Sequence, residues 1–200
     1  MKKNITEHLY NISCDDRRKL NQQNSFLVLI TGLSGAGKST LANELEASLF
    51  KKHIRCYVLD GDTIRKGINK NLGFSPEDRS ENNRRIGEIS KLFIDAGLVV
   101  IAAFVAPYKK DRALIKATVG SDNFIEVFVN TSLEECERRD VKGLYKKARA
   151  GEIKDMTGIS APYEAPENPD VELTELLSIE DSVALVLNHI TSKLAYNPKD

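Results

Sequence analysis

Apolar positions along this chain follow two rhythms. Short runs of strand length alternate with longer stretches in which apolar residues recur at steps of three and four. The runs fall at 26–31, 54–59, 98–105 and 124–130, and 98–105 is nearly continuous, as a central parallel strand buried on both faces requires. Leu41, Leu45 and Leu49 mark a helix over 38–52. Ile86, Ile89 and Phe93 mark another, which Ser75 caps, Pro76 opens and Gly97 ends just past Ala96. Residues 109–118 read as a helix, and so do 133–138 behind a Thr131 cap. Ser178 opens a closing helix with Val183, Val186, Leu187, Ile190 and Leu194 on its apolar face. Pro162, Pro166 and Pro169 make 161–170 a loop. Strands alternating with helices predict an α/β fold, a mostly parallel sheet with helices on both faces in three layers. Residues 1–24 are polar and read as an arm or short solvated helix, leaving 25–200 as a single domain.

Composition narrows the partners. Lys plus Arg and Asp plus Glu each number 29, so the formal net charge is zero. Such a chain is not built for bulk attachment to nucleic acid or to a membrane, and any anion site must be local. No apolar run reaches transmembrane length, and no apolar segment follows Lys2 and Lys3 as a secretory leader would need. Cys14, Cys56 and Cys136 are odd in number and widely spaced, which suits free thiols in the cytoplasm.

The candidate chemistry begins at Gly32-Leu33-Ser34-Gly35-Ala36-Gly37-Lys38-Ser39, followed by Thr40, a P-loop motif set between a strand and a helix. Its glycines let backbone N–H groups turn inward around phosphate, and the helix N-terminus adds positive potential. Lys38 would reach the β- and γ-phosphates, and the Ser39 hydroxyl would join an oxygen shell around Mg²⁺. Asp60 and Asp62 end the second strand at the ligand-facing edge of such a sheet. Either could cap the helix starting near Thr63, and Asp62 is the one expected to serve as base or to orient the attacking hydroxyl. Stepping back along the 86–89–93 stripe reaches Asn82 and Arg79, polar groups where packing alone would not put them. With Arg65 they suggest a second anion pocket. Arg79, Arg84 and Arg85 could instead pair with Glu77, Asp78, Glu81 and Glu88 on a solvated surface, a reading that suits one of Arg84 and Arg85 and fits Arg79 less easily. Residues 138–160 are basic and contain three glycines, which reads either as a lid over phosphates or as a solvated charged helix. The motif implies ATP-dependent transfer to a small anionic acceptor and stops there. Another small-molecule or nucleotide kinase, or a non-catalytic nucleotide-binding module, would carry the same loop.

From about Arg17 onward the chain resembles the adenylyl-sulfate kinases. Beyond the P-loop, the likeness rests on Leu59-Asp60-Gly61-Asp62 with Arg65, Asn71-Leu72-Gly73-Phe74-Ser75 with Asp78-Arg79, and Glu81-Asn82 with Arg84-Arg85. It continues through Arg139-Asp140, Lys142-Gly143-Leu144-Tyr145, Ala148-Arg149-Ala150-Gly151, Thr157-Gly158-Ile159 and Ala161-Pro162-Tyr163-Glu164-Ala165-Pro166. The resemblance implies that ATP phosphorylates the 3′-hydroxyl of adenosine 5′-phosphosulfate (APS) in sulfate assimilation. It places Arg65, Arg79 and Asn82 around APS, Phe74 on the adenine, and Lys142 on the lid, and it implies a homodimer. Three positions depart from the family pattern. Met156 replaces a phenylalanine expected on the other face of the adenine, and Ser160 replaces an aspartate. Ala106 replaces a serine assigned in the family as a phosphoserine intermediate, so no phosphoenzyme is expected at that position.

Overall fold

The computed structural model describes residue 8 and residues 10–196, so the reading at Lys2 and Lys3 lies outside the described residues. Five parallel strands form one sheet: β1 (Leu27–Thr31), β2 (Cys56–Asp60), β3 (Val99–Ala103), β4 (Phe124–Asn130) and β5 (Val171–Thr174), in the order β2-β3-β1-β4-β5. The helices are α1 (Cys14–Asn21), α2 (Lys38–Lys51), α3 (Gly61–Lys66), α4 (Pro76–Asp95), α5 (Lys109–Val119), α6 (Leu133–Arg139), α7 (Leu144–Arg149) and α8 (Ile179–Leu194).

Strand β1 is the middle of the sheet and is buried throughout. Its alternation feeds two apolar layers. Val28 and Ile30 face a layer shared with Leu41, Leu45 and Leu49 of α2 and Val186 and Ile190 of α8. Leu27 and Leu29 face the other, with Ile64 of α3, Ile86 and Ile94 of α4, and Ile115 and Val119 of α5. Parallel pairing puts every strand's carboxyl end on one edge, where P-loop, acids and lid meet.

Several expectations shift. The apolar run at 98–105 is an interior strand, but β1 holds the centre. Strand β5 was not expected; its four residues alternate in burial with only Leu173 fully buried, too short a pattern to stand out beside the prolines. The short helix α6 is capped by the Ser132 hydroxyl, which accepts from Glu135 N–H, while Thr131 Oγ1 donates instead to the Ala36 carbonyl of the P-loop. The buried face of α4 runs through Asn83, Gly87, Ser90 and Ile94, with Ile89 and Phe93 only partly buried on its shoulder. The cause is α5: a Cβ on Gly87 would meet Ile115 Cα at 3.5 Å, so the two helices pack closely through that glycine. Helix α1, expected to be solvated, is tied down by side chains. Arg18 donates to Ser25 and Asn123, Arg17 to Asp95, and Asn21 to the Gly97 carbonyl.

Candidate active site

The P-loop is the turn between β1 and α2. Gly32 has φ 153°, and a Cβ there would lie 2.6 Å from the Val129 carbonyl oxygen, so only glycine lets the loop leave β1 against β4. Gly37, at φ 106°, is the N-cap of α2, and no side chain serves the helix's first N–H groups. That leaves them for an anion. Lys38 is buried and its Nζ donates to the Gly32 and Leu33 carbonyls at 3.0 and 2.7 Å. Burial pushes its pKa down to about 8, and the Lys142 ammonium pushes the same way.

The two acids divide their work. Asp60 is the N-cap of α3: its Oδ2 accepts from Asp62 and Thr63 N–H, and its Oδ1 accepts from Ser39 Oγ at 3.3 Å. Asp62 has no capping duty and is exposed, with its Oδ2 2.5 Å from Lys142 Nζ. An exposed pair of this kind adds little stability. It does place a lid cation beside the acid.

Across the cleft, Phe74 stands more than half exposed with the Arg65 guanidinium 4.4 Å and the Arg79 guanidinium 5.6 Å from its ring centre. Arg79 donates to the Phe74 and Asp155 carbonyls, and Arg65 to the Leu72 and Gly73 carbonyls. Burial lowers the pKa of both, and Arg79 lowers that of Arg65 further by repulsion. Both cations are hydrogen-bonded only to carbonyls, and Asp62 and Asp78 act on Arg65 from beyond ion-pair distance. The neighbouring arginines differ: Arg84 and Arg85 both pair with Glu81, whose pKa they hold down at about 2. Asn82 is buried and accepts from Asn69 Nδ2, so the inward polar stripe is real at Asn82 and half-buried at Arg79.

Past the end of α6 at Arg139, the lid is helical only over α7. Tyr145 is buried and its hydroxyl donates to the Ser34 carbonyl at 2.8 Å, which pins the lid to the P-loop. Met156 is also buried, in the layer that holds Leu33, Leu133 and Ile159, rather than exposed as Phe74 is. Ser160 Oγ accepts from Met156 N–H and closes the turn that follows. Ala106, just past β3, is buried at φ 40°. Behind the P-loop a cavity of about 250 Å³ is lined by Gly37, Thr40, Thr131, Arg139, Thr174 and Glu175. Sequence reading missed this cavity because its walls come from three distant segments and carry no motif beyond the P-loop itself.

A parallel sheet with this strand order, a glycine arch leading into α2 and a basic lid pinned to it defines a kinase of the P-loop type. Residues 24–174 match the family model described as adenylylsulphate kinase. The chain is 52% identical over 191 residues to the adenylyl-sulfate kinase of Oceanobacillus iheyensis, covering 95% of this chain and 96% of that one. It is 54% identical over 188 residues to that of Lactiplantibacillus plantarum, covering 94% and 91%. The APS kinase of Mycobacterium tuberculosis, solved with AMPPNP and APS, superposes with a TM-score of 0.82 at 46% identity, covering 84% of this chain and 98% of that chain. The chain belongs to the adenylyl-sulfate kinase family.

Proposed function

We infer that this protein transfers the γ-phosphoryl group of ATP to the 3′-hydroxyl of APS, giving 3′-phosphoadenosine 5′-phosphosulfate (PAPS) and ADP. Beyond family membership, the observation that carries the assignment is the Arg65–Phe74–Arg79 group. It offers an aromatic face and two cations without carboxylate partners, which suits a nucleotide bearing an anionic 5′-phosphosulfate. The P-loop takes the ATP phosphates, and the cavity lined by Thr131, Arg139 and Glu175 suits the rest of that nucleotide. Asn82, Lys142 and the Met156 segment complete the acceptor side in this reading.

In the transfer, the 3′-oxygen forms a bond to the γ-phosphorus as the bridging bond to the β-phosphate breaks. Asp62 takes the hydroxyl proton, Lys142 holds the Asp62 carboxylate in place by its hydrogen bond, and Lys38 neutralises charge on the departing phosphate. Ala106 offers no hydroxyl, so transfer is direct. Ser39 and Asp60 present oxygens 3.3 Å apart beside the loop, a donor set that fits Mg²⁺. Among the described residues no group of three or more His, Cys, Asp or Glu could hold a metal ion. A bound Mg²⁺ would supply charge neutralisation on the β- and γ-oxygens. Among the described residues no helix is long and apolar enough to cross a membrane. Homodimerisation remains a proposal of the family likeness, and one related APS kinase, from Thiobacillus denitrificans, is described as hexameric.

A coupled ADP-release assay with and without APS tests the assignment. APS-dependent ADP release with equimolar PAPS is expected, and no protein-bound label from γ-labelled ATP alone. Release driven by another acceptor, or by none, would overturn the substrate; an acid-stable phosphoprotein that chases into PAPS would overturn the direct route.

A further inference from the structure

Two adjacent residues of α5, Asp111 and Arg112, are each only 4% exposed and reach in different directions. Arg112 uses all three nitrogens. Nε donates to Glu126 Oε1 at 2.8 Å, Nη1 to the Ala106 carbonyl at 2.8 Å, and Nη2 to the Glu164 carbonyl at 2.7 Å. Asp111 Oδ2 accepts from Ser80 Oγ and Asn83 Nδ2, both at 3.1 Å, across the interface with α4. An ion pair this deep is a weak source of stability, and an apolar pair of similar volume would do as well. What it supplies is geometry.

The segments it holds border the site. Ala106 sits in the left-handed region at φ 40°, a conformation residues with a Cβ hold only when their surroundings enforce it. Arg112 fixes that turn by its carbonyl. Glu164 holds the same turn from outside: its N–H donates to the Pro107 carbonyl, and its carboxylate accepts from Lys109 N–H. That carboxylate caps α5, whose own N-cap residue, Tyr108, makes no side-chain cap bond. One residue earlier, the Tyr163 hydroxyl bonds to Thr31 Oγ1, which donates to the Val105 carbonyl, and Thr31 leads into Gly32 of the P-loop. Residues 161–167 therefore form a strap from the root of the lid to the P-loop entry and the Ala106 turn. On the other side, Ser80 and Asn83 directly follow Arg79 and Asn82 in the same turn of α4.

We propose that Asp111 and Arg112 are positioning residues for the acceptor side of the site. Asp111 sets the α4 turn bearing Arg79 and Asn82, and Arg112 sets the Ala106 turn and the lid root against it. The proposal rests on the reading of Arg65, Phe74 and Arg79 as the acceptor pocket.

Arg112→Lys tests it, because an ammonium keeps the charge opposite Glu126 but cannot span three acceptors. A displaced acceptor loses about ten- to a hundredfold in kcat/KM for APS, with raised KM for APS and ATP affinity within about twofold of the parent. Asp111→Asn, whose amide oxygen can accept both bonds but without the charge that strengthens them, shifts KM for APS the same way by a smaller factor. The double variant Arg112→Met with Glu126→Met restores a packed core without the brace, so it should remain folded and still lose APS turnover. Equal losses for both substrates, or a lowered melting temperature with unchanged kinetics, would overturn the proposal. Amide hydrogen exchange is the readout that does not depend on the acceptor. It should rise at 104–108 in Arg112→Lys and at 76–83 in Asp111→Asn while the P-loop stays protected, and unchanged exchange at these segments would overturn the brace. Absence of APS-dependent turnover in the parent protein would instead defeat the acceptor reading, with the exchange result standing apart.

Discussion

Arg79 shows what a single side chain contributes. Its guanidinium spans from the Phe74 carbonyl to the Asp155 carbonyl, so it links the acceptor-side ring to the trailing edge of the lid. Arg79→Ala should weaken APS binding by about 2–3 kcal/mol, the scale of a charge-assisted contact, and leave ATP binding nearly intact. Calorimetric titration of each nucleotide checks this, and equal losses for both would remove Arg79 from the acceptor pocket. Lys38 makes a different, pH-dependent prediction. Its pKa is lowered from 10.5 to about 8 by burial, and phosphate charge would raise it again. ATP binding should therefore take up a proton, little below pH 7 and increasingly as pH rises through 8. Above that, affinity should fall with pH. The same depressed pKa means the unfolded chain binds more protons between about pH 8 and 10.5, so this group's contribution to folding stability rises with pH there. Titrations in two buffers of different ionisation enthalpy measure the uptake, and Lys38→Met should abolish it.

At the scale of elements, the lid is the piece whose behaviour is hardest to infer from its own composition. It is strongly basic, yet α7 docks through Tyr145, whose ring lies against Gly35 and whose hydroxyl bonds to the Ser34 carbonyl. Burial pushes that hydroxyl's pKa well above its ordinary value, so it stays a proton donor throughout the working range. The lid's charges stay in solvent: Arg149 pairs with Glu137, and Lys142, just before α7, reaches across to Asp62 at the site. Tyr145→Phe removes one hydrogen bond and leaves the packing. It should lower stability by about 0.5–1.5 kcal/mol and raise KM for ATP, because the P-loop loses its strut. Denaturant titration and initial-rate kinetics read the two effects, and an unchanged KM would show that the bond serves the lid alone.

At the scale of the molecule, β1 supplies alternate residues to both apolar layers. Neither layer can come apart while the other keeps its strand. We propose that the chain from residue 25 onward behaves as one folding unit, and thermal unfolding followed by fluorescence and by far-UV circular dichroism should give coincident transitions. ATP should raise the midpoint in proportion to ln(1 + [ATP]/Kd). Two separated transitions would mean that α4 and α5 melt independently of α2 and α8.

Local patterning was enough to determine the parallel α/β class, the P-loop and its lysine, the caps at Ser75 and Ser178, and the inward face holding Asn82. Each of these depends on neighbours within one or two turns, where spacing and backbone sterics leave few alternatives. The tertiary structure decided which of the two acids caps: Asp60 is taken up by the α3 N-terminus and Ser39, and Asp62 meets Lys142, 80 residues away. It alone put Met156 in the P-loop's flanking layer, turned Thr131 from a helix cap to the Ala36 carbonyl, and completed the sheet with β5. It also brought Glu164 to the start of α5 and Arg112 to three separate segments. Burial, and the hydrogen bonds that burial demands, are set by segments far apart in the chain, so no window of sequence contains them.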